Sequence, residues 1–142
     1  MGPRRGSCLC GGVAFEVEAP LGDVIACHSS QCRRTSGHVW AGSFVPLAQF
    51  RLLADAPLRW FRSSSAVDRG FCRDCGASLF WKPLDGSGVC VAAGALDLPT
   101  GLRLAEHWHR EDAGDYYRPE GPPPPPDAAV LPAVLACACL CG

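Results

Sequence analysis

The spacing of the cysteines constrains this chain more than any other feature. Ten cysteines occur in 142 residues, and four of them form two close pairs, Cys8-Leu-Cys10 and Cys72-Arg-Asp-Cys75. Each pair is followed by glycine, which relieves a tight turn, so that both thiolates of a pair can face one point. Four thiolates gathered in this way satisfy the tetrahedral coordination of zinc. The sequence therefore predicts a structural zinc site that ties the N-terminal strand to the middle of the chain and contributes folding energy.

Two other interpretations of these cysteines stay open, namely buried free thiols or adventitious disulfides. A lone C-x-x-C pair also occurs in redox-active proteins. Residues 1–7 lead to Cys8 without an apolar segment, so no secretory signal peptide is expected. No window approaches the roughly 18 consecutive apolar residues of a membrane helix. We therefore expect a cytoplasmic protein without membrane association, where cysteines serve more often as metal ligands or catalytic thiols than as disulfides.

The balance of charge argues against two classes of protein. Hydrophobic residues make up 48% of the chain and charged residues 19%, which is not the composition of a disordered protein. With 13 basic and 14 acidic residues the formal net charge is −1, so we expect no nucleic-acid partner bound through a broad basic face. The pairs Arg4-Arg5 and Arg33-Arg34 are local exceptions, and a solvated surface is the alternative interpretation of both.

Period-two alternation of apolar residues recurs along the chain and predicts a mainly β fold of antiparallel strands. Val13, Phe15 and Val17, for example, alternate with polar or small residues. Segments rich in Gly, Pro, Asp and Ser separate the strands as turns do. A short helical turn is expected at 47–50. The predicted strands cover residues 13–17, 24–27, 39–45, 50–53, 58–62, 78–81, 89–93 and 102–108.

The composition changes after Tyr117. Five consecutive prolines at 122–126 form a polyproline II segment that cannot join a sheet. The residues that follow are rich in Ala, Val and Leu and include three more cysteines. We therefore expect one zinc-binding domain over residues 1–118 and a Pro-rich, apolar tail over 119–142 that is disordered and lies outside it.

A second group of reactive side chains lies between two predicted strands, at residues 27–38. It contains Cys27, His28, Cys32 and His38 together with several hydroxyls, among them Ser29. A loop of this composition can hold a metal with an open coordination position, as catalytic zinc requires. A polar loop with two inert thiols is the alternative interpretation.

Four sequence blocks together resemble the glutathione-dependent formaldehyde-activating enzyme family, also called the GFA or centromere-protein-V domain family, over roughly residues 6–117. The blocks are Gly6-Ser-Cys-Leu-Cys-Gly-Gly12, the segment 27–38 with Cys32-Arg33-Arg34 and Ser36-Gly37, Phe71-Cys-Arg-Asp-Cys-Gly-Ala-Ser78, and Ala93-Gly-Ala-Leu-Asp97. The resemblance implies a zinc-bound antiparallel β-sheet fold of the Mss4-like type. It also implies a carbon–sulfur lyase that reversibly joins formaldehyde to the thiol of glutathione, giving S-hydroxymethylglutathione.

The resemblance assigns a role to both groups of cysteines. The family's structural zinc would be held here by Cys8, Cys10, Cys72 and Cys75. The family's catalytic zinc is bound by three cysteines of a C-x-C-x-x-C loop, which aligns with Cys27, Ser29 and Cys32. Serine departs from the family pattern, because its hydroxyl does not readily deprotonate at neutral pH and binds zinc far more weakly than a thiolate.

Cys27, Ser29 and Cys32 are therefore the candidate catalytic residues, with Cys27 and Cys32 as the two remaining ligands of a second zinc. That site would need His28, His38 or a substrate thiol to complete it. The predicted partner is a small thiol such as glutathione, together with formaldehyde or a related carbonyl.

Arg33 and Arg34 are candidates for binding the carboxylates of such a substrate, and exposed loop arginines are the alternative. Trp40, Trp60 and Trp81 are expected in the core or, less often, lining a pocket. A non-catalytic, zinc-stabilised binding module is the competing function, and the serine in the metal loop favours it. Chromatin association, by analogy with centromere protein V, is disfavoured by the near-neutral charge.

Overall fold

The computed structural model describes residues 2–18 and 20–120. Within these residues the chain forms ten strands, one α-helix and three short 3-10 helices. The strands and the α-helix are β1 (Arg4–Ser7), β2 (Ala14–Val17), β3 (Val24–Cys27), α1 (Ser30–Ser36), β4 (Trp40–Pro46), β5 (Phe50–Ala54), β6 (Leu58–Ser64), β7 (Val67–Cys72), β8 (Ser78–Pro83), β9 (Gly88–Ala92) and β10 (Leu104–Trp108). The 3-10 helices cover Leu47–Gln49, Ala93–Ala95 and Arg110–Asp112.

The strands are arranged in two sheets. Strands β1, β2 and β5 form a three-stranded antiparallel sheet in the order β1-β2-β5. The other seven strands form a sheet in the order β10-β3-β4-β9-β8-β7-β6. Neighbouring strands in this larger sheet are antiparallel except for β10 and β3, which are parallel. The predicted mainly β fold is confirmed, with this one parallel pair added to an otherwise antiparallel arrangement.

All eight predicted strands are present, and their ends differ from the prediction by at most two residues. The helical turn expected at 47–50 is the 3-10 helix Leu47–Gln49. Strands β1 and β7 were not predicted, and α1 lies where a loop was expected. The tail predicted over 119–142 lies outside the described residues from 121 onward, and the domain boundary at 118 stays a prediction.

The larger sheet buries both of its faces because side chains alternate along its strands. On β9, Val89 and Val91 belong to a core shared with Phe15 and the rest of the small sheet. Cys90, between them, belongs to a second core that includes Trp81 and Cys32 of α1. The small sheet thus covers one face of the larger sheet, and α1 covers the other.

Aromatic side chains fill much of the first core. The rings of Phe15 and Phe80 meet edge to face with their centroids 5.3 Å apart, a favourable geometry for two aromatic rings. Trp40 and Trp81 are buried, as a core position requires, whereas Trp60 is 37% exposed and lies under the ammonium of Lys82. The prediction of core tryptophans is therefore correct for two of the three.

Candidate metal centre and thiol site

Four cysteines from distant parts of the chain meet at one end of the two sheets. The sulfur atoms of Cys8, Cys10, Cys72 and Cys75 all lie within 4.8 Å of one another. The Cys8 and Cys10 sulfurs are 3.6 Å apart, and the Cys10 and Cys72 sulfurs are 3.7 Å apart. Four sulfurs at about 2.3 Å from a tetrahedral zinc would be separated by about 3.8 Å. The cluster therefore has the spacing that a metal ion of this kind requires.

Two glycine-containing turns present these sulfurs to a single point. Gly76, at φ +75°, donates its N–H to the carbonyl oxygen of Cys72 over 2.8 Å and closes the C-x-x-C turn. Gly11, at φ +78°, donates to the carbonyl oxygen of Cys8 over 3.1 Å. Both positive φ values lie in the left-handed region that glycine adopts without strain. The Val13 N–H also points at the Cys8 sulfur, 3.3 Å away, as amides do around metal-bound thiolates.

The electrostatics of the cluster favour a bound cation. The Gly12 N–H lowers the pKa of the Cys10 thiol, but the neighbouring thiol of Cys8 contributes to an opposing effect that raises the pKa to about 12. At Cys75, the backbone N–H of Cys10 is the main cause of a pKa lowered to about 6. Thiolates this close together repel one another, and a divalent ion removes the repulsion between them. The four cysteines fit a metal ion in both geometry and charge.

The second group of cysteines surrounds the start of α1. Cys27 ends β3, and Cys32 lies in α1 with its side chain fully buried. The Ser29 hydroxyl lies 3.4 Å from the Cys27 sulfur and accepts a hydrogen bond from the Cys32 N–H over 3.2 Å. Ser29 is therefore the N-cap of α1, a position that serine favours because its oxygen satisfies an otherwise unpaired N–H. The three candidate catalytic residues lie together at the start of α1, and their catalytic role stays a prediction.

The two histidines of this segment make contacts of their own. His28 is buried and pairs through Nδ1 with the Tyr117 hydroxyl and through Nε2 with His107 Nδ1, 2.8 Å away. Burial, helped by the charges of His107 and two other neighbours, lowers the pKa of His28 to about 4, so the ring is neutral at pH 7. His38 pairs through Nδ1 with the Tyr116 hydroxyl over 2.7 Å. These contacts supply no third ligand beside Cys27 and Cys32.

The donor set at α1 is therefore smaller than at the first cluster. Within the described part of the chain, two groups of at least three His, Cys, Asp or Glu side chains have ligand atoms close enough to share a metal. They are the four-cysteine cluster and the more exposed set His109, Glu111 and Asp112. Neither group contains Cys27 or Cys32, and zinc at this loop stays a prediction.

A buried arginine that the sequence did not single out completes the thiol site. Arg69 of β7 is 5% exposed, and its two terminal guanidinium nitrogens lie 3.8 and 3.7 Å from the Cys32 sulfur. A positive charge at this distance stabilises negative charge on sulfur. The sequence carried no signal for this contact, because it depends on how β7 pairs with its neighbours and packs under α1.

Arg33 and Arg34, the predicted substrate-binding pair, differ in burial and in the groups around them. Arg34 is exposed and lines a pocket of about 370 Å³ together with Arg69. Arg33 is half-buried, its Nε has no hydrogen-bond partner among the described residues, and its charge acts on Tyr117. Binding of substrate carboxylates by this pair stays a prediction. Among residues 2–18 and 20–120, no helix has the length and apolar character needed to cross a membrane.

The fold and the first cluster define a mainly β protein with a four-cysteine centre able to hold a metal ion. The sequence profile of the glutathione-dependent formaldehyde-activating enzyme family matches residues 3–112. The chain belongs to this family, whose fold is Mss4-like.

Solved structures include a relative of the same shape. The crystal structure of a Rhodobacter sphaeroides protein superimposes on this chain with a TM-score of 0.57, and the two sequences are 27% identical. The matched region covers 66% of this chain and 88% of that one. A search of curated proteins gave no match.

Proposed function

We propose that this chain is a carbon–sulfur lyase that reversibly joins formaldehyde, or a related small carbonyl, to the thiol of a glutathione-type substrate. Membership of the formaldehyde-activating family over residues 3–112 carries the proposal. The contact between the Cys32 sulfur and the buried guanidinium of Arg69 supports it, because a site for thiol chemistry must accommodate negative charge on sulfur.

We assign zinc to the four-cysteine cluster in a structural role. All four ligands there are cysteines of the chain, and a site closed by four protein ligands leaves no coordination position for a substrate. When bound, zinc would neutralise the crowded thiolates and cross-link the segment before β2 to the turn after β7. The chemistry of the reaction is therefore assigned to the Cys27, Ser29 and Cys32 site.

The reaction requires few groups from the protein. The substrate thiolate attacks the carbonyl carbon, a carbon–sulfur bond forms, and the π electron pair moves to oxygen, which then takes a proton. In our proposal the Ser29 hydroxyl, 3.4 Å from the Cys27 sulfur, donates a hydrogen bond to this oxygen. Arg69 provides the positive charge that faces the Cys32 sulfur, and the buried surroundings strengthen both interactions.

Exchange NMR with ¹³C-formaldehyde and glutathione tests this proposal. The spontaneous reaction sets the background, and the purified chain is expected to raise the exchange rate well above it. Cys27→Ala should return the rate to background while the zinc of the four-cysteine cluster is retained. A wild-type rate equal to background, or an unchanged rate in Cys27→Ala, would contradict the proposal.

The competing function is a non-catalytic, zinc-stabilised binding module. One observation favours it: Ser29 replaces a potential thiolate ligand and its oxygen is already engaged in capping α1. The module hypothesis predicts a single zinc per chain, unaffected by Cys27→Ala. A second zinc that this substitution removes would instead support catalysis at α1.

A further inference from the structure

A pocket of about 370 Å³ opens between α1 and the strands β6 and β7. This volume lies within the range of small-molecule sites in proteins. The residues that line it are Gln31, Arg34, Thr35, Phe61, Ser63 and Arg69. Three of them, at positions 31, 34 and 35, share one face of α1, as the spacing of a helix requires. Their inward neighbour Cys32 packs toward the core.

The charged residues that line this pocket are both positive. It holds two guanidinium groups, those of Arg34 and Arg69, and none of the described residues that line it is acidic. The nearest carboxylate along β7, that of Asp68, is paired with Arg62 over 2.5 Å. Two hydroxyls and an amide add hydrogen-bonding groups, and the exposed ring of Phe61 adds an apolar wall. Such a surface suits a small anion with an aliphatic part.

Arg69 connects this pocket to the thiol site. Its guanidinium lines the pocket and also contacts the Cys32 sulfur at 3.7 and 3.8 Å. A ligand carboxylate in the pocket would therefore be separated from Cys32 by the thickness of one guanidinium group. A molecule that carries both a carboxylate and a thiol can span this distance.

We propose that the pocket binds a carboxylate of the thiol substrate, and that Arg34 makes the enzyme select acidic thiols over neutral ones. This inference rests on the proposed function, because it names the substrate class of the same site. Arg34 is exposed and its planar guanidinium can bind a carboxylate through two parallel hydrogen bonds. Arg69 closes the inner end of the pocket and orients the substrate toward the sulfur atoms.

Charge reversal at Arg34 tests the proposal through the choice of thiol. In Arg34→Glu, the KM for glutathione should rise by about tenfold or more, the usual effect of losing a charge-assisted pair. The KM for the neutral thiol 2-mercaptoethanol should change by less than about twofold. Arg59→Glu is the matched control, since Arg59 is exposed on β6, does not line the pocket and introduces the same change in net charge. Equal effects of both variants, or equal effects on both thiols, would overturn the inference.

Binding of S-methylglutathione, measured by calorimetry, separates this inference from the proposed function. This thioether cannot react but keeps both carboxylates. Binding to the wild type that Arg34→Glu weakens supports the pocket, even if no turnover is found. Turnover of glutathione without any dependence of thioether binding on Arg34 would overturn the pocket and leave the function standing. Loss of binding in Gly94→Tyr but not in Arg34→Glu would also overturn it, since Gly94 lines a neighbouring pocket that shares only Thr35 with this one and has open space at its Cβ position.

Discussion

At the residue scale, Ser29 links the local structure of the thiol site to its chemistry. Its side-chain oxygen caps α1 through the Cys32 N–H, and the same hydroxyl lies beside the Cys27 sulfur. A cap of this kind is worth about 1 kcal/mol to the helix. A cysteine at this position would be a weaker cap but would place a third thiolate near Cys27 and Cys32. Helix stability and metal binding therefore compete at this residue.

Ser29→Cys is expected to increase metal binding at α1. The third thiolate should raise the zinc content toward two ions per chain and speed formaldehyde exchange, because three thiolates hold zinc more firmly than two. The lost cap should lower the free energy of unfolding by about 1 kcal/mol. Native mass spectrometry, exchange NMR and urea denaturation measure these effects.

Ser30→Cys is the matched control for this prediction, since Ser30 is exposed at the first position of α1. It adds the same thiol without placing it at the N-cap. Equal zinc content in the two variants, or no gain in exchange for Ser29→Cys, would exclude a latent catalytic metal site.

At the scale of elements, one buried carboxylate joins all three strands of the small sheet. Glu16 of β2 is 4% exposed and pairs with Arg5 of β1 over 3.1 Å and with Arg51 of β5 over 2.5 Å. These two guanidinium groups, Arg51 first, hold the pKa of Glu16 below its usual range. The charged pair therefore supports the sheet that packs over the first core.

The stabilisation from Glu16 should depend on pH in a defined direction. Because its pKa is lower in the folded than in the unfolded state, the contribution is present above the unfolded pKa of about 4.3. It is lost as the pH falls through the folded value. Glu16→Gln should therefore be less stable than the wild type at pH 7, and the difference should shrink below about pH 4. Urea denaturation of both proteins over this range checks the prediction, and a difference independent of pH would contradict it.

Sequence pattern predicts most of these strands but not the elements whose residues lack alternation. Strand β1 reads Arg-Arg-Gly-Ser and is extended because β2 pairs with it. Strand β7 carries a buried charge, Arg69, and a glycine in its middle. In α1 a single side chain, Cys32, is buried, so no apolar periodicity reveals a helix. Ser29 before it and Gly37 after it, at φ +84°, are the cap residues that could have indicated one.

At the scale of the whole molecule, the four-cysteine cluster joins segments far apart in sequence. Cys10 and Cys72 are 62 residues apart, yet their sulfurs are 3.7 Å from each other. Bringing such segments together costs chain entropy, which a bound metal can offset. Structural zinc in small domains contributes on the order of 10 kcal/mol in apparent binding energy, comparable to the total stability of a domain.

The distance in sequence between contacting residues explains which site residues could be predicted from the sequence. The four cysteines of the cluster could be predicted from spacing alone, because the C-x-C and C-x-x-C pairs each define a local turn. The candidate catalytic group at 27–32 is also contiguous in sequence. Arg69 and the pocket beside it arise where β6 and β7 meet α1, and no local pattern encodes that contact.

Native mass spectrometry of the full chain tests the central claim, that zinc at the four-cysteine cluster holds this fold together. The wild type should carry at least one zinc. Cys75→Ala should lose that ion and unfold near room temperature, whereas Cys27→Ala should keep both that zinc and the fold. A metal-free wild type that is fully folded, or a Cys75→Ala chain with unchanged zinc content and stability, would contradict the account.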